Sequence, residues 1–291
     1  MPETIGIIGA MDEEVELLLA GMNGSETVEK AGVRYHKGTF HGKNVIVCKS
    51  GVGKVNAAVT TQILIDFFGV SKVLFTGVAG AVHPELNIGD IVISSECLQH
   101  DMDVTALGFE RGVIPYQEVS VFQADKALVA LAEKACSTLG EVNFRVGRVL
   151  SGDQFIASVE QVSWFYEHLQ GACVEMEGAA VAQVCYMNGV PFVVIRSMSD
   201  KADGSAHANF AEFTVASSRV RMPFWMICFG KCKIGSSANK LPGKVGPNPG
   251  RLVCRWKMRR TRRGGLPAIE RITNKPSRTR AALGRGQPCV L

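Results

Sequence analysis

The 291-residue chain is long enough for one large or two ordinary domains, and its 46% apolar residues suffice for a buried core. Its formal net charge of +5 averages two unlike parts: residues 1–220 hold 15 Lys and Arg against 26 Asp and Glu, whereas residues 221–291 hold 17 against the single Glu270. The nine cysteines show no paired spacing, which excludes a disulfide scaffold and points to a reducing compartment, the cytoplasm.

In chain order, the first predicted strand is IGIIGAM. It is too short for a membrane span, has no basic region before it and runs straight into DEEVE, so it reads as neither leader nor anchor. Further apolar runs follow: NVIVCKS, KVLFTGVAG, DIVISS, RVGRVLSG, ACVEME and PFVVIRSMSD. These are continuous rather than alternating, as expected of central strands covered on both faces. Helical patterns lie between them. In ADKALVALAEKACSTL, the residues Leu128, Leu131, Ala132, Ala135 and Leu139 fall at three- and four-residue steps and predict one apolar face. The alternation predicts a single α/β domain over residues 1–220, with a central mixed sheet flanked by helices.

In such sheets ligands collect beyond the carboxyl ends of the strands. Those ends here read GAMDEEV, SGVGKVNAA, FTGVAGAV, SGDQFI, VEMEGAA and RSMSDKADG. None is a metal-ligand cluster, a nucleophile elbow or a P-loop, and no metal or cofactor is expected. What they carry is carboxylates. Taken singly, each has an ordinary explanation: Asp12, Glu13 and Glu14 suit a helix start, Glu175 and Glu177 could begin the next helix, and Asp200 could make a turn. Acids at three strand ends of one sheet would converge on one rim, an arrangement suited to acid–base work.

Taken together and in order, IGIIGAMDEEV, SGVGKVNAA, TGVAG, DIVIS, HDMDVTALGF, SGDQFI, VEMEGAA and FVVIRSMSD resemble the bacterial 5′-methylthioadenosine/S-adenosylhomocysteine nucleosidases of the nucleoside phosphorylase superfamily, over residues 5 to about 217. The resemblance implies a nucleoside phosphorylase-like fold and hydrolysis of the bond between adenine N9 and the ribose. It implies that Asp200, oriented by Ser199, protonates N7 of the departing base, which requires a carboxyl group that holds a proton in the complex. Glu14 becomes the base that deprotonates water. Consecutive helical residues point about 100° apart, so Asp12 and Glu13 cannot face the site with it. Arg196 is placed near the water, Glu177 on the ribose hydroxyls, Met176 against the sugar, and Glu175 among the substrate-binding residues. Phe155 would stack on adenine, the Ile156 backbone would read its edge, and Phe210 would cover the alkylthio side.

A phosphorylase needs arginines to hold phosphate oxygens. Where the related hexameric phosphorylases are expected to carry one, this chain has Phe75, so water is the expected nucleophile. Two departures stand out. Val78 replaces a common serine, leaving the backbone of Ala79 and Gly80 to help hold the water, and Leu107 replaces a common aromatic. The resemblance also implies a homodimer in which Val52, Leu107, Phe109 and Pro115 line the partner subunit's 5′-substituent pocket.

The family pattern stops near residue 218. Residues 221–291, with Pro242, Pro247 and Pro249 among glycines and then RWKMRRTRR, have a disordered composition and read as sequence foreign to the family that replaces its last helix. Cys228 and Cys232 lack a second ligand pair for zinc. A basic tail of this kind binds nucleic acid non-specifically. Two other readings of the whole chain are a phosphate-dependent phosphorylase and an inactive scaffold with a nucleic-acid-binding tail.

Overall fold

The computed structural model describes residues 3–139 and 142–201. The elements run β1 (Thr4–Gly9), α1 (Asp12–Gly21), β2 (Asn23–Lys30), β3 (Val33–Phe40), β4 (Lys43–Lys49), α2 (Lys54–Asp66), β5 (Lys72–Ala81) and β6 (Ile91–Gln99). They continue with β7 (Val121–Gln123), α3 (Lys126–Leu139), β8 (Phe144–Ser151), α4 (Val159–Leu169), β9 (Gly171–Glu175), α5 (Gly178–Met187) and β10 (Phe192–Asp200). All seven apolar runs contain strands of one mixed sheet, in the order β10-β6-β8-β9-β5-β1-β4-β3-β2, with β7 attached to β6. Because β10 also pairs with β5, the strands β10, β6, β8, β9 and β5 close into a ring from which β1, β4, β3 and β2 extend. Parallel pairing of β1 with β4 and β5, and of β5 with β10, brings four carboxyl ends to one side.

The unbroken apolar runs have a direct cause in the layering. Along β1, Ile8 packs in one core with Ala57 and Leu64 of α2 and Ala179, Val181 and Cys185 of α5. Its neighbour Ile7 points the other way, into a core with Val15 and Leu18 of α1 and Leu128 and Ala132 of α3. Each fully buried aliphatic side chain stabilises by about 1.5 to 3 kcal/mol, so both faces of these strands favour apolar residues.

Two details differ from the sequence reading. In α3, Leu128, Ala132, Ala135 and Cys136 form the buried face, but Leu131 lies outside it at 39% exposure; three residues beyond Leu128 the helix has turned too far to reach the sheet. The hairpin β2–β3 has no sequence signal, because β2 (NGSETVEK) is exposed at nearly every position and carries no apolar alternation. It is an edge strand held by backbone pairing and protected by its charges. The boundary expected near residue 220, the tail beyond it and Phe210 lie outside the described residues, as does the side chain of Leu139.

Candidate active site

A cavity opens where the strand ends meet, the place where ligands collect in such sheets. Each acid arrives by a different device. Glu14 sits in the first turn of α1, and its carboxylate folds back over that helix start: Oε2 accepts from the N–H groups of Ala10 at 2.6 Å and Met11 at 3.0 Å, and Oε1 from that of Val78 at 3.0 Å. Asp12 and Glu13 point to solvent. Of the three consecutive acids only Glu14 reaches the cavity, as the helical rotation requires.

Ser199 and Asp200 both line the cavity although they are neighbours on a strand. A regular strand would send them to opposite faces. The pairing of β10 with β5 shifts register between Met198 and Asp200, which oppose Ala79 and Gly80, so Ser199 is the extra residue of a bulge. Its hydroxyl donates to Asp200 Oδ2 at 2.7 Å and also lies 3.3 Å from the Ala79 carbonyl. This fixes the carboxyl plane.

Glu175 ends β9 and Glu177 caps α5. The buried Glu175 accepts from the N–H groups of Glu177 at 3.2 Å and Gly178 at 2.9 Å, from the Ser151 hydroxyl and from the Arg196 guanidinium. It is an anchor with most of its acceptor capacity used. Glu177 is less satisfied: Oε1 accepts from Gly53 N–H at 2.8 Å, and Oε2 lies 3.8 Å from Arg196 Nη2. Burial, reinforced by the charges of Glu175 and Glu14, pushes the Glu177 carboxyl up to about 8, against the opposing pull of Arg196 and the Gly53 N–H.

Arg196 is almost wholly buried beneath the cavity and is not part of its wall. Burial disfavours its charge, but Glu175, Glu14 and Glu177 outweigh that and hold it firmly protonated. Its guanidinium lies 4.0 Å from the Phe75 ring centroid, a cation–π contact. Room for it depends on Gly77, where a β-carbon would stand 1.8 Å from Arg196 Nη1 and 2.7 Å from Glu14 Oε1.

The remaining wall comes from Val78, Ala79 and Gly80 of β5, from Met176, and from Phe155 and Ile156 after β8. Phe155 is 48% exposed, and Ile156 is buried. Val52 contributes to the same cavity from the loop before α2, whereas Leu107, Phe109 and Pro115 lie away from it, in the segment after β6. That segment forms a short 3-10 turn, Thr105–Leu107, which leaves Leu107 71% exposed.

Sequence reasoning missed Gly77, whose signal is a glycine inside an apolar strand, the mark of a close approach. It also missed Ser151, which ties Glu175 to the Ala179 N–H at 2.7 Å and had no signal beyond its place at a strand end.

The closed mixed sheet, with its acids gathered at the strand ends, is that of the phosphorylase superfamily, to which the chain belongs: the superfamily's model matches residues 4–222. Within that superfamily it belongs to the 5′-methylthioadenosine/S-adenosylhomocysteine nucleosidases. It is 46% identical over 213 residues to the nucleosidase of that name from Shewanella sediminis, covering 72% of this chain and 92% of the relative. Among solved structures, it resembles the nucleosidase of Colwellia psychrerythraea in complex with adenine at 38% identity and a TM-score of 0.75, over 79% of this chain and 96% of that one. It also resembles a futalosine hydrolase of Helicobacter pylori at 37% identity and a TM-score of 0.74, over 78% and 97%.

Proposed function

We propose that this chain hydrolyses the N-glycosidic bond of 5′-methylthioadenosine and S-adenosylhomocysteine, releasing adenine and the corresponding thioribose. The observation that carries the reading is the meeting of Glu14, Glu177 and the Ser199–Asp200 pair around one cavity with an aromatic, Phe155, at its wall. Adenine stacks on Phe155 with its edge toward the Ile156 backbone, and Asp200 donates its proton to N7, so the base leaves neutral. Glu177 accepts from the ribose 2′- and 3′-hydroxyls while Met176 packs on the sugar. Glu14 takes a proton from water as the water oxygen bonds to C1′ and the C1′–N9 electron pair passes to adenine. Arg196 acts from below, as the cation between Glu175 and Glu177 that lets three carboxylates share one site.

Water is preferred over phosphate because, among the described residues, the cavity wall holds no Lys, Arg or His. Phosphate oxygens demand such donors. Adenine release from methylthioadenosine in phosphate-free buffer tests the reading; a protein that needs phosphate to release adenine is a phosphorylase.

The working unit in this proposal is a homodimer in the cytoplasm. Val55 and Val59 of α2, Tyr186 and Met187 of α5, Leu107 and Tyr116 are all exposed, too many large apolar side chains to leave in water without a partner. The dimer brings Leu107, Phe109 and Pro115 to the other subunit's cavity, where an apolar wall suits the 5′-thioether. Among the described residues no helix is long and apolar enough to cross a membrane. The 17 Lys and Arg of residues 221–291 add salt-sensitive, non-specific affinity for nucleic acid, which deletion of residues 221–291 removes.

A further inference from the structure

The loop from Ser50 to Gly53 contributes twice to the site: Val52 lines the cavity, and Gly53 N–H donates to Glu177 Oε1 at 2.8 Å. Gly53 has a φ of +98°, and a β-carbon there would stand 3.1 Å from Asp153 Oδ1. What holds this loop lies outside the cavity. Asp153, from the connection after β8, caps α2 from a distant part of the chain by accepting the Lys54 N–H on Oδ1 at 2.8 Å. The Asp153 N–H donates to Asp101 Oδ2 at 3.0 Å. Lys54 Nζ closes the ring on Asp101 Oδ1 at 2.7 Å and reaches Gln99 Oε1 at 3.0 Å.

This ring is shielded. The Lys54 and Asp101 side chains are 18% and 15% exposed, against 45% and 78% for the nearby surface pair Lys49–Asp12. An exposed pair contributes little, whereas a shielded pair that also satisfies backbone donors fixes a geometry. Although burial pushes the other way, Lys54 and the Asp153 N–H hold the Asp101 carboxyl below its ordinary range.

We propose that Lys54, Asp101 and Asp153 are positioning residues for the ribose: they lock the start of α2 so that Gly53 N–H stays on Glu177 Oε1, leaving Oε2 to the sugar hydroxyls. The proposal rests on the assignment of Glu177 to the ribose. Groups that face Glu177 are Glu175 beside it, Arg196 from β10, Glu14 from α1 and this one N–H from the start of α2. Of these, only the N–H is under the ring's control.

The test compares Asp153→Ala, Lys54→Met and Asp153→Asn in the full chain, reading kcat and KM for methylthioadenosine together with the titration of the Glu177 carboxyl carbon by NMR without substrate. For Asp153→Ala and Lys54→Met, KM is expected to rise about tenfold with kcat within about threefold, and the Glu177 titration to move up by about one pH unit, as loss of a donor to a charged acceptor requires. Asp153→Asn, whose amide oxygen still accepts from Lys54 N–H, should stay near the parent in both. Should Asp153→Ala not fold, Lys54→Met carries the same comparison, because it leaves every backbone partner in place. A parent protein that releases no adenine defeats the ribose assignment alone, since the Glu177 titration is read without substrate. An unmoved titration in the variants, or an Asp153→Asn as impaired as Asp153→Ala, overturns the positioning role.

Discussion

Arg196 and Glu14 approach the same small volume above Gly77, the one from β10 and the other from α1, and a single β-carbon at Gly77 would collide with both. The strand can pass there only without a side chain. Gly77→Ala is therefore expected to displace the guanidinium from Phe75 and Glu175 and to turn Glu14 off its three backbone donors. Adenine release should fall at least about 100-fold, the scale of one lost acid–base group. Stability should fall by roughly 3 to 5 kcal/mol, the cost of breaking a buried ion pair. Steady-state kinetics with urea denaturation reads both, and near-parent values for the two would remove Gly77 from the account.

Glu14→Gln and Asp200→Asn should each lower kcat by 10²- to 10⁴-fold, or roughly 3 to 5 kcal/mol of barrier. Glu13→Gln, altering a carboxylate that faces solvent, should change little. Adenine release within about threefold of the parent in either cavity variant would take that residue out of the mechanism.

The Glu177 carboxyl binds its proton more tightly folded, at about 8, than at its ordinary value of 4.5. Between those two values the folded state holds more protons than the unfolded one, so stability must fall as pH rises through the window and level off above it. Without substrate, the unfolding free energy is expected to be lower at pH 9 than at pH 6, and Glu177→Gln should remove part of the difference, on the order of 1 to 3 kcal/mol. Equal pH dependence in parent and variant, by chemical denaturation, would show that burial of Glu177 carries no such cost.

Val55, 73% exposed near the start of α2, should tolerate Asp only in a monomer. In the dimer proposed above, Val55→Asp is expected to shift sedimentation toward monomer and to raise KM for methylthioadenosine, because Leu107 and Phe109 of the second subunit would then leave the cavity. Unchanged sedimentation would place the subunit contact elsewhere.

Much of this could be read in the sequence, for physical reasons that particular residues make plain. The apolar stretches of β1, the first half of β5 and Phe192–Ile195 of β10 are buried on both faces, the composition expected of a strand between two helical layers. Strand ends are legible for the same reason, since the acids of MDEEV, VEME and SMSD close apolar runs. The β2–β3 hairpin was hidden because Asn23–Lys30 buries almost nothing and is specified by pairing alone. Closure of the ring through β10 and β5 left no local mark either. Nor did the partners of Lys54: Asp101 and Asp153 lie 47 and 99 residues away, and each reads alone as an ordinary loop acid. The bulge at Ser199, which turns two neighbouring side chains into one cavity, depends on register and not on residue type.

The central claim is that water, activated by Glu14, is the nucleophile at C1′. Incubation of methylthioadenosine with the protein in ¹⁸O-labelled water, with phosphate present, tests it most directly by mass spectrometry of the sugar product. Free adenine and methylthioribose carrying one ¹⁸O at C1 are expected, with Glu14→Gln forming neither at a comparable rate. Methylthioribose 1-phosphate as the product, or adenine release that stops when phosphate is withdrawn, would contradict it.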